Sequence, residues 1–112
     1  MKPVPVHIVT GAPGSGTGAL VARLTQERRE WAALSPRACP CCVGRVELQV
    51  SLARLLRERR PERILVELAD GEHLKALERV LVEWPLGQYV AVARNLLLPA
   101  DANLRPGELE AG

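Results

Sequence analysis

Three cysteines within four positions carry the most distinctive chemistry in this sequence. Cys39, Cys41 and Cys42 form a Cys-x-Cys-Cys motif between a Ser-Pro pair and an amphipathic helical pattern. Two thiolates in a Cys-x-Cys arrangement can chelate one soft ion, and Zn²⁺ or Cu(I) suits a set of three sulfurs. Arg37 and Arg45 flank the motif, and neighbouring positive charge favours the thiolate form. The motif therefore predicts a metal site.

The fourth position of a tetrahedral zinc site needs another ligand. Water, His7, His73, a carboxylate or a second copy of the chain could supply it, and the sequence does not choose among them. Two other interpretations of the motif remain open. One or more cysteines could be buried as small apolar residues, and Cys39 with Cys42 also has the Cys-x-x-Cys spacing of thiol redox proteins.

A glycine-rich turn is the second candidate site. It follows an apolar strand pattern and precedes a helical one, which is the context of a phosphate-binding P-loop. Backbone N–H groups of such a turn wrap around phosphate oxygens at the positive end of the helix dipole. The candidate phosphate- or nucleotide-binding residues are Gly11, Gly14, Ser15, Gly16, Thr17 and Gly18.

The last two positions of this turn depart from the P-loop pattern. Lysine and then serine or threonine are expected after Gly16, but the sequence has Thr17 and Gly18. Losing the lysine charge and the Mg²⁺-binding hydroxyl costs ~3–6 kcal/mol, roughly a hundredfold to ten-thousandfold in affinity. The turn therefore either binds nothing or is a weak site for GTP and Mg²⁺, in which Thr17 supplies a hydroxyl one position early. Efficient hydrolysis is not expected, because the lysine also stabilises transition-state charge.

The patterns around these motifs predict an α/β domain. Continuous apolar runs predict strands over Val4–Thr10, Arg63–Leu68 and Tyr89–Ala93. Helical periodicity predicts a helix that begins at Ala19 and fades near Trp31–Leu34, and further helices over Val46–Arg60 and Glu72–Glu83. Strands of this kind alternating with helices indicate a small, mostly parallel sheet flanked by helices, with ligands at the carboxyl ends of the strands.

The composition fits one small domain. With 112 residues and a formal charge of +2, the chain does not have the basic excess of a nucleic-acid binder. Residues 1–98 form the predicted domain, and the polar residues 99–112 are predicted to be a loose tail.

There is no run of ~18–20 apolar residues for a membrane span and no signal peptide at the start. We therefore expect a cytoplasmic protein, whose reduced thiols favour a metal or redox role over a disulfide.

The order of these motifs resembles that of the CobW-type P-loop metallochaperone GTPases. That family has a first strand, a P-loop, a Cys-x-Cys-Cys loop, an amphipathic helix and then an Ile-Leu-Ile-Glu strand. The resemblance spans roughly Val4 to Leu98, and it is carried by residues 38–43 (Ala-Cys-Pro-Cys-Cys-Val), 55–61, 63–67 and 90–97. It implies that the chain is a truncated P-loop NTPase-like domain.

The resemblance also implies roles for single residues. It makes Cys39, Cys41 and Cys42 the metal ligands and places Glu67 at the family's Walker-B-like acidic position, near Mg²⁺ and the γ-phosphate. From the residues alone, Glu67 could equally pair with an arginine. Val92 stands where the family has an Asp, and the guanine-reading Asn-Lys-x-Asp element is absent. The stretch between the glycine turn and the cysteines is also shorter than the family's, which contains a second strand and a switch region.

These comparisons lead to one expected function and two alternatives. We expect a zinc-binding, CobW-like protein with a role in metal homeostasis, which passes its metal to a client protein and does not hydrolyse GTP efficiently. The alternatives are a weak nucleotide-binding GTPase-like protein and a thiol redox protein. A homodimer could cover exposed strand edges. A basic patch of Arg57, Arg59, Arg60 and Arg63 is expected to be the solvated end of a helix or a docking surface for an acidic partner.

Overall fold

The structure, a computed structural model, describes residues 2–12, 14–36, 43–68 and 71–111, and of Val43 and Glu72 only the backbone. It confirms the predicted α/β fold, with a five-stranded sheet in which every pairing is parallel. Within those ranges, no helix combines the length and apolar character needed to cross a membrane.

Strands and helices alternate along the chain, and three elements join those that the sequence pattern predicts: the strands Trp31–Leu34 and Leu96–Leu98 and the helix Pro106–Ala111. The strands are β1 (Val4–Gly11), β2 (Trp31–Leu34), β3 (Arg63–Leu68), β4 (Val90–Val92) and β5 (Leu96–Leu98). The helices are α1 (Thr17–Glu27), α2 (Val43–Glu58), α3 (Leu74–Val82) and α4 (Pro106–Ala111). Two 3₁₀ turns, Gly71–His73 and Leu86–Gln88, precede α3 and β4.

The strand order places the ends of β1, β2 and β3 side by side. The order is β2-β3-β1-β4, and β5 continues the β4 edge by pairing with the second half of β1. The register aligns Val9 of β1 with Glu67 of β3, and Leu34 of β2 with Val66 of β3. Because all strands are parallel, their carboxyl ends meet at one edge, where the glycine turn begins and β2 leads toward the cysteines.

Helices cover both faces of the sheet. Successive side chains of a strand alternate between faces, so Ile64 and Val66 pack under α2 and α3, while Leu65 packs under α1 and α4. Both faces are therefore apolar, which explains the continuous apolar runs in the sequence. The residues that α1 buries are Leu20, Val21 and Leu24, the face that its periodicity predicted.

The prediction that α1 fades across Trp31–Leu34 is wrong, because these residues form β2. A turn after α1, closed by the Trp31 N–H bond to the Arg28 carbonyl, reverses the chain. Trp31 then lies opposite Arg63 in the register of β2 with β3 and is only 2% exposed. The structure therefore has a second strand between the glycine turn and the cysteines.

The prediction of a loose tail after Pro99 is also wrong. Leu104, Pro106 and Leu109 are buried, and both leucines belong to the apolar cluster over α1. The guanidinium of Arg23 on α1 donates to the carbonyls of Ala102 and Leu104. Arg28 and Arg94 also form ion pairs with Glu110 and Asp101 of this segment. Apolar residues and three arginines thus hold the C-terminal segment in place, despite its polar composition.

Candidate functional site

The glycine turn joins β1 to α1 at the carboxyl edge of the sheet. Gly14 and Gly16 adopt φ angles of 82° and 91°, a left-handed conformation that glycine adopts without the steric cost of a Cβ atom. The Ser15 N–H donates to the Ala12 carbonyl at 3.0 Å and tightens the turn. Gly16, the N-cap of α1, makes no side-chain capping bond, so within the described residues the first N–H groups of α1 face the turn without a side-chain acceptor.

Gly11 and Ser15 pack closely at the base of this turn. A Cβ atom on Gly11 would lie 2.3 Å from the Ser15 Oγ and 2.9 Å from the Leu98 Cβ, so only glycine fits there. The Ser15 Oγ is buried and has no hydrogen-bond partner in the described part of the chain. Gly11 therefore lets β5 and the turn approach each other.

A hydrogen-bonded cluster around Glu67 connects three elements at the same edge. The Thr17 hydroxyl at the start of α1 donates to the Glu67 Oε1 at 2.9 Å. The Ser35 hydroxyl, just after β2, donates to the Oε2 of the same carboxylate at 3.1 Å. The Thr17–Glu67 bond is partly buried, whereas the Ser35–Glu67 bond is exposed. The carboxylate lies against the first turn of α1, where the positive end of the helix dipole stabilises it. We call Thr17, Ser35 and Glu67 the Glu67 cluster.

The Glu67 cluster gives this edge a negative charge. Across the ranges that the structure describes, Glu67 makes no ion pair. Arg37 lies outside those ranges, so the predicted alternative of an arginine partner stays a prediction. In the same ranges no Lys or Arg side chain donates a hydrogen bond to the glycine turn. A phosphate placed here would be repelled by the carboxylate unless a cation stood between them.

The cysteines lie outside the described residues, but both ends of their segment are described. Pro36 follows β2, and Gly44 lies in the first turn of α2; both line one cavity of about 170 Å³. Ser35 and Glu47 contribute polar groups to the same cavity. The two ends of the six-residue stretch with Cys39, Cys41 and Cys42 therefore lie close together beside Glu67. Among the described residues alone, no group of three or more His, Cys, Asp or Glu side chains could hold a metal ion.

His7 lies in β1 and is 1% exposed. Its Nδ1 lies 2.6 Å from the Arg94 carbonyl oxygen, and the Arg63 guanidinium donates to its Nε2 at 2.9 Å. Burial lowers the pKa of His7; the bond to the Arg94 carbonyl opposes this shift, and the charges of Arg63 and Arg94 add to it. Both nitrogens of a neutral ring are thus engaged, so His7 could bind a metal only by losing one of these bonds. The other candidate histidine, His73, ends the 3₁₀ turn before α3.

The buried His7 predicts a loss of stability in weak acid. Its pKa in the folded chain is below the ordinary value of 6.5, so below pH 6.5 the unfolded chain takes up the proton first. The stabilisation of the folded chain by the neutral His7 ring is complete above pH 6.5 and declines as the pH falls toward the lowered pKa of His7. Urea unfolding of the parent protein and of His7→Gln at pH 7.5 and 5.0 measures this effect. The difference in stability between the two proteins should shrink at pH 5.0, and an unchanged difference would exclude His7 as its source.

The predicted basic patch does not form one surface. Arg63 is partly buried, bonded to His7, with its guanidinium carbon 5.5 Å from the centre of the Trp31 ring. Arg59 lines a shallow pocket with Trp31, whereas Arg57 and Arg60 line a different groove. The prediction of a solvated helix end is therefore confirmed for Arg57, Arg59 and Arg60, which are exposed at and after the end of α2. It is wrong for Arg63, which lies in β3 and bonds to His7.

Sequence reasoning placed Glu67 and Thr17 at one edge of the sheet but missed Ser35. The helical pattern that fades near Trp31–Leu34 does not place Ser35 after a strand, which is where the structure has it. The apolar run Trp31–Leu34, bounded by Glu30 and Ser35, is the signal that could have revealed it. The metal and nucleotide roles of the predicted site residues stay predictions. No family model, no curated protein and no solved structure matches this chain.

Proposed function

We propose that this chain is a metal-binding protein of the CobW-like type that holds one soft cation, such as Zn²⁺, through Cys39, Cys41 and Cys42. It would serve metal homeostasis in the cytoplasm and pass its ion to a client protein. Three thiolates give the chain a soft donor set that favours Zn²⁺ or Cu(I) over Mg²⁺.

The observation that carries this proposal is the fixed position of both ends of the cysteine segment. Ser35 is held by Glu67, and Pro36 and Gly44 border the same cavity. The entropy lost in gathering ligands falls when a short loop starts and ends at neighbouring, fixed points. These ends therefore favour convergence of the three sulfurs on a single ion.

Two carboxylates are candidates for a fourth ligand. Glu67 is bonded to Ser35 at one end of the segment, and Glu47 lines the cavity between the two ends. Zn²⁺ accepts one carboxylate oxygen alongside sulfur ligands. His7 is the weaker candidate, because its ring nitrogens already bond to Arg94 and Arg63.

One observation favours weak nucleotide binding as a second candidate function. The Thr17 hydroxyl and the Glu67 carboxylate are 2.9 Å apart, and a hydroxyl beside a carboxylate is the usual protein contribution to a Mg²⁺–nucleotide site. The negative charge and the missing lysine argue for low affinity. Calorimetry of the unsubstituted protein with GTP and Mg²⁺ should show no binding tighter than roughly millimolar.

Substitution by Co²⁺ tests the proposed metal site. Co²⁺ occupies sites built for Zn²⁺, and its bonds to thiolates absorb strongly, so the reduced protein should develop sulfur-to-cobalt bands that saturate at one equivalent. Added Zn²⁺ should bleach them. Protein whose thiols have been alkylated is the matched control and should show no such bands. Equal Co²⁺ binding before and after alkylation would refute the proposal.

A further inference from the structure

A groove lies at the opposite edge of the sheet from the glycine turn. It has a volume of about 380 Å³ and runs between the C-terminal half of α2 and the 3₁₀ turn before β4. We call it the arginine groove; its principal lining residues are Leu56, Arg57, Arg60, Pro85, Leu86 and Tyr89. This volume falls within the range of about 300–1,000 Å³ that small-molecule sites occupy.

The groove combines apolar walls with two guanidinium groups that lack partners. Leu56, Leu86 and Tyr89 supply aliphatic and aromatic surface, and Tyr89 is 50% exposed. In the described part of the chain, neither Arg57 nor Arg60 makes an ion pair or a side-chain hydrogen bond.

Four arginines of the described residues pair with acidic neighbours, namely Arg23 with Glu27, Arg28 with Glu110, Arg45 with Glu83 and Arg94 with Asp101. Arg57 and Arg60 are not among them, so the positive charge of the groove is available to an anion that carries an apolar body.

The backbone of Arg60 gives a second indication that its side chain has a role. Arg60 follows the end of α2 and has a φ of 45°. This left-handed position after a helix is the one that glycine usually fills, since a Cβ atom there adds steric cost. An arginine at this position costs stability that glycine would not, while it places a guanidinium in the groove.

We propose that the arginine groove binds a small monocarboxylate with an aromatic or aliphatic body. Its carboxylate would bond to Arg57 and Arg60, because guanidinium groups match a carboxylate in geometry and charge. Its apolar part would lie against Leu56, Leu86 and Tyr89. The groove shares no lining residue with the cavity bordered by Pro36 and Gly44, so this proposal does not depend on the proposed metal site.

The test compares 3-phenylpropionate with its uncharged amide, 3-phenylpropanamide, by two-dimensional NMR titration of the full chain. The acid should shift the amide signals of residues around the groove and bind at least about tenfold more tightly than the amide. Arg57→Ala should weaken binding of the acid about tenfold or more. Arg54→Ala, on an exposed part of α2 outside the groove, is the matched control and should change nothing.

The variant Arg60→Gly tests ligand binding and folding stability separately. It should weaken binding of the acid like Arg57→Ala, yet lower the unfolding equilibrium constant roughly fivefold in urea, because glycine accepts the left-handed backbone. Equal affinity for acid and amide, or no saturable shift at about 10 mM acid, would overturn the proposal. Shifts of the groove signals with protein concentration alone would overturn it too, since a second copy would then be the occupant.

Discussion

A chain with serine in place of Cys39, Cys41 and Cys42 is expected to lose all Zn²⁺-dependent stabilisation. In the reduced parent protein, free Zn²⁺ at roughly 100 times its dissociation constant should raise the free energy of unfolding by about 2.7 kcal/mol, because the ion binds the folded chain preferentially. Serine hydroxyls are neutral, hard ligands that hold Zn²⁺ poorly. Urea unfolding with and without Zn²⁺, followed by circular dichroism, measures the difference.

Two controls make this result specific. Mg²⁺ in place of Zn²⁺ should stabilise neither protein, because hard ions prefer oxygen ligands and thiolates are soft. His7→Gln should keep its Zn²⁺ response, since both ring nitrogens of His7 are engaged elsewhere. If the triple serine variant kept the full response to Zn²⁺, the ion would be held by other groups and the cysteines would not be its ligands.

The double substitution Thr17→Lys with Gly18→Thr is expected to make triphosphate binding much tighter than in the parent chain. A Cβ atom at Gly18 would lie 3.5 Å from the Glu67 Oε1, an ordinary contact, so a threonine fits there beside the carboxylate. The lysine charge and the Mg²⁺-binding hydroxyl together should raise affinity roughly a hundredfold to ten-thousandfold. Calorimetry with GTP and with ATP, each with Mg²⁺, measures the gain.

The gain in affinity for GTP and ATP should depend on the backbone of the glycine turn as well as on the new side chains. Adding Gly16→Val to the double variant should remove the gain, because Gly16 has a φ of 91° that a β-branched residue does not tolerate. The single change Gly18→Thr is the matched control and should give little, since it adds no charge. If the double variant bound neither nucleotide, the turn would not be a P-loop that has lost its side chains.

The parts of this fold that can be predicted are the elements whose own sequence pattern is sufficient to locate them. The apolar runs of β1 and β3 are long and flanked by charges or turn residues, so periodicity was sufficient to locate them. The parallel arrangement followed from their continuous apolar character. It also implied that Thr17 and Glu67 lie at the same edge, where the structure joins them at 2.9 Å.

The parts that sequence reasoning missed depend on contacts between distant segments. Trp31–Leu34 contains two alanines, which are strong helix formers, and it becomes a strand only by pairing with β3. Leu104 and Leu109 lie in a polar segment, and they are buried because α1 leaves an apolar surface beside β5. The sequence pattern does not show which distant segment either one contacts.

The arginines that follow α2 show that the sequence also does not predict which side chains face the same site. Neighbours in sequence, Arg59 and Arg60, line different pockets, and Arg63 turns inward to bond His7. A left-handed residue at Arg60 redirects the chain between them, and nothing in a run of arginines and a proline predicts which residue takes that conformation. The arginine groove could therefore be found only from the structure.

Titration of the reduced chain with Zn²⁺ against a chromophoric chelator tests the central proposal most directly. We expect one equivalent of Zn²⁺ to bind with a dissociation constant in the micromolar range or below, and this binding to vanish when the thiols are capped. Fewer than about 0.3 equivalents bound at micromolar affinity, or a full equivalent bound after capping, would contradict a metal site built from Cys39, Cys41 and Cys42.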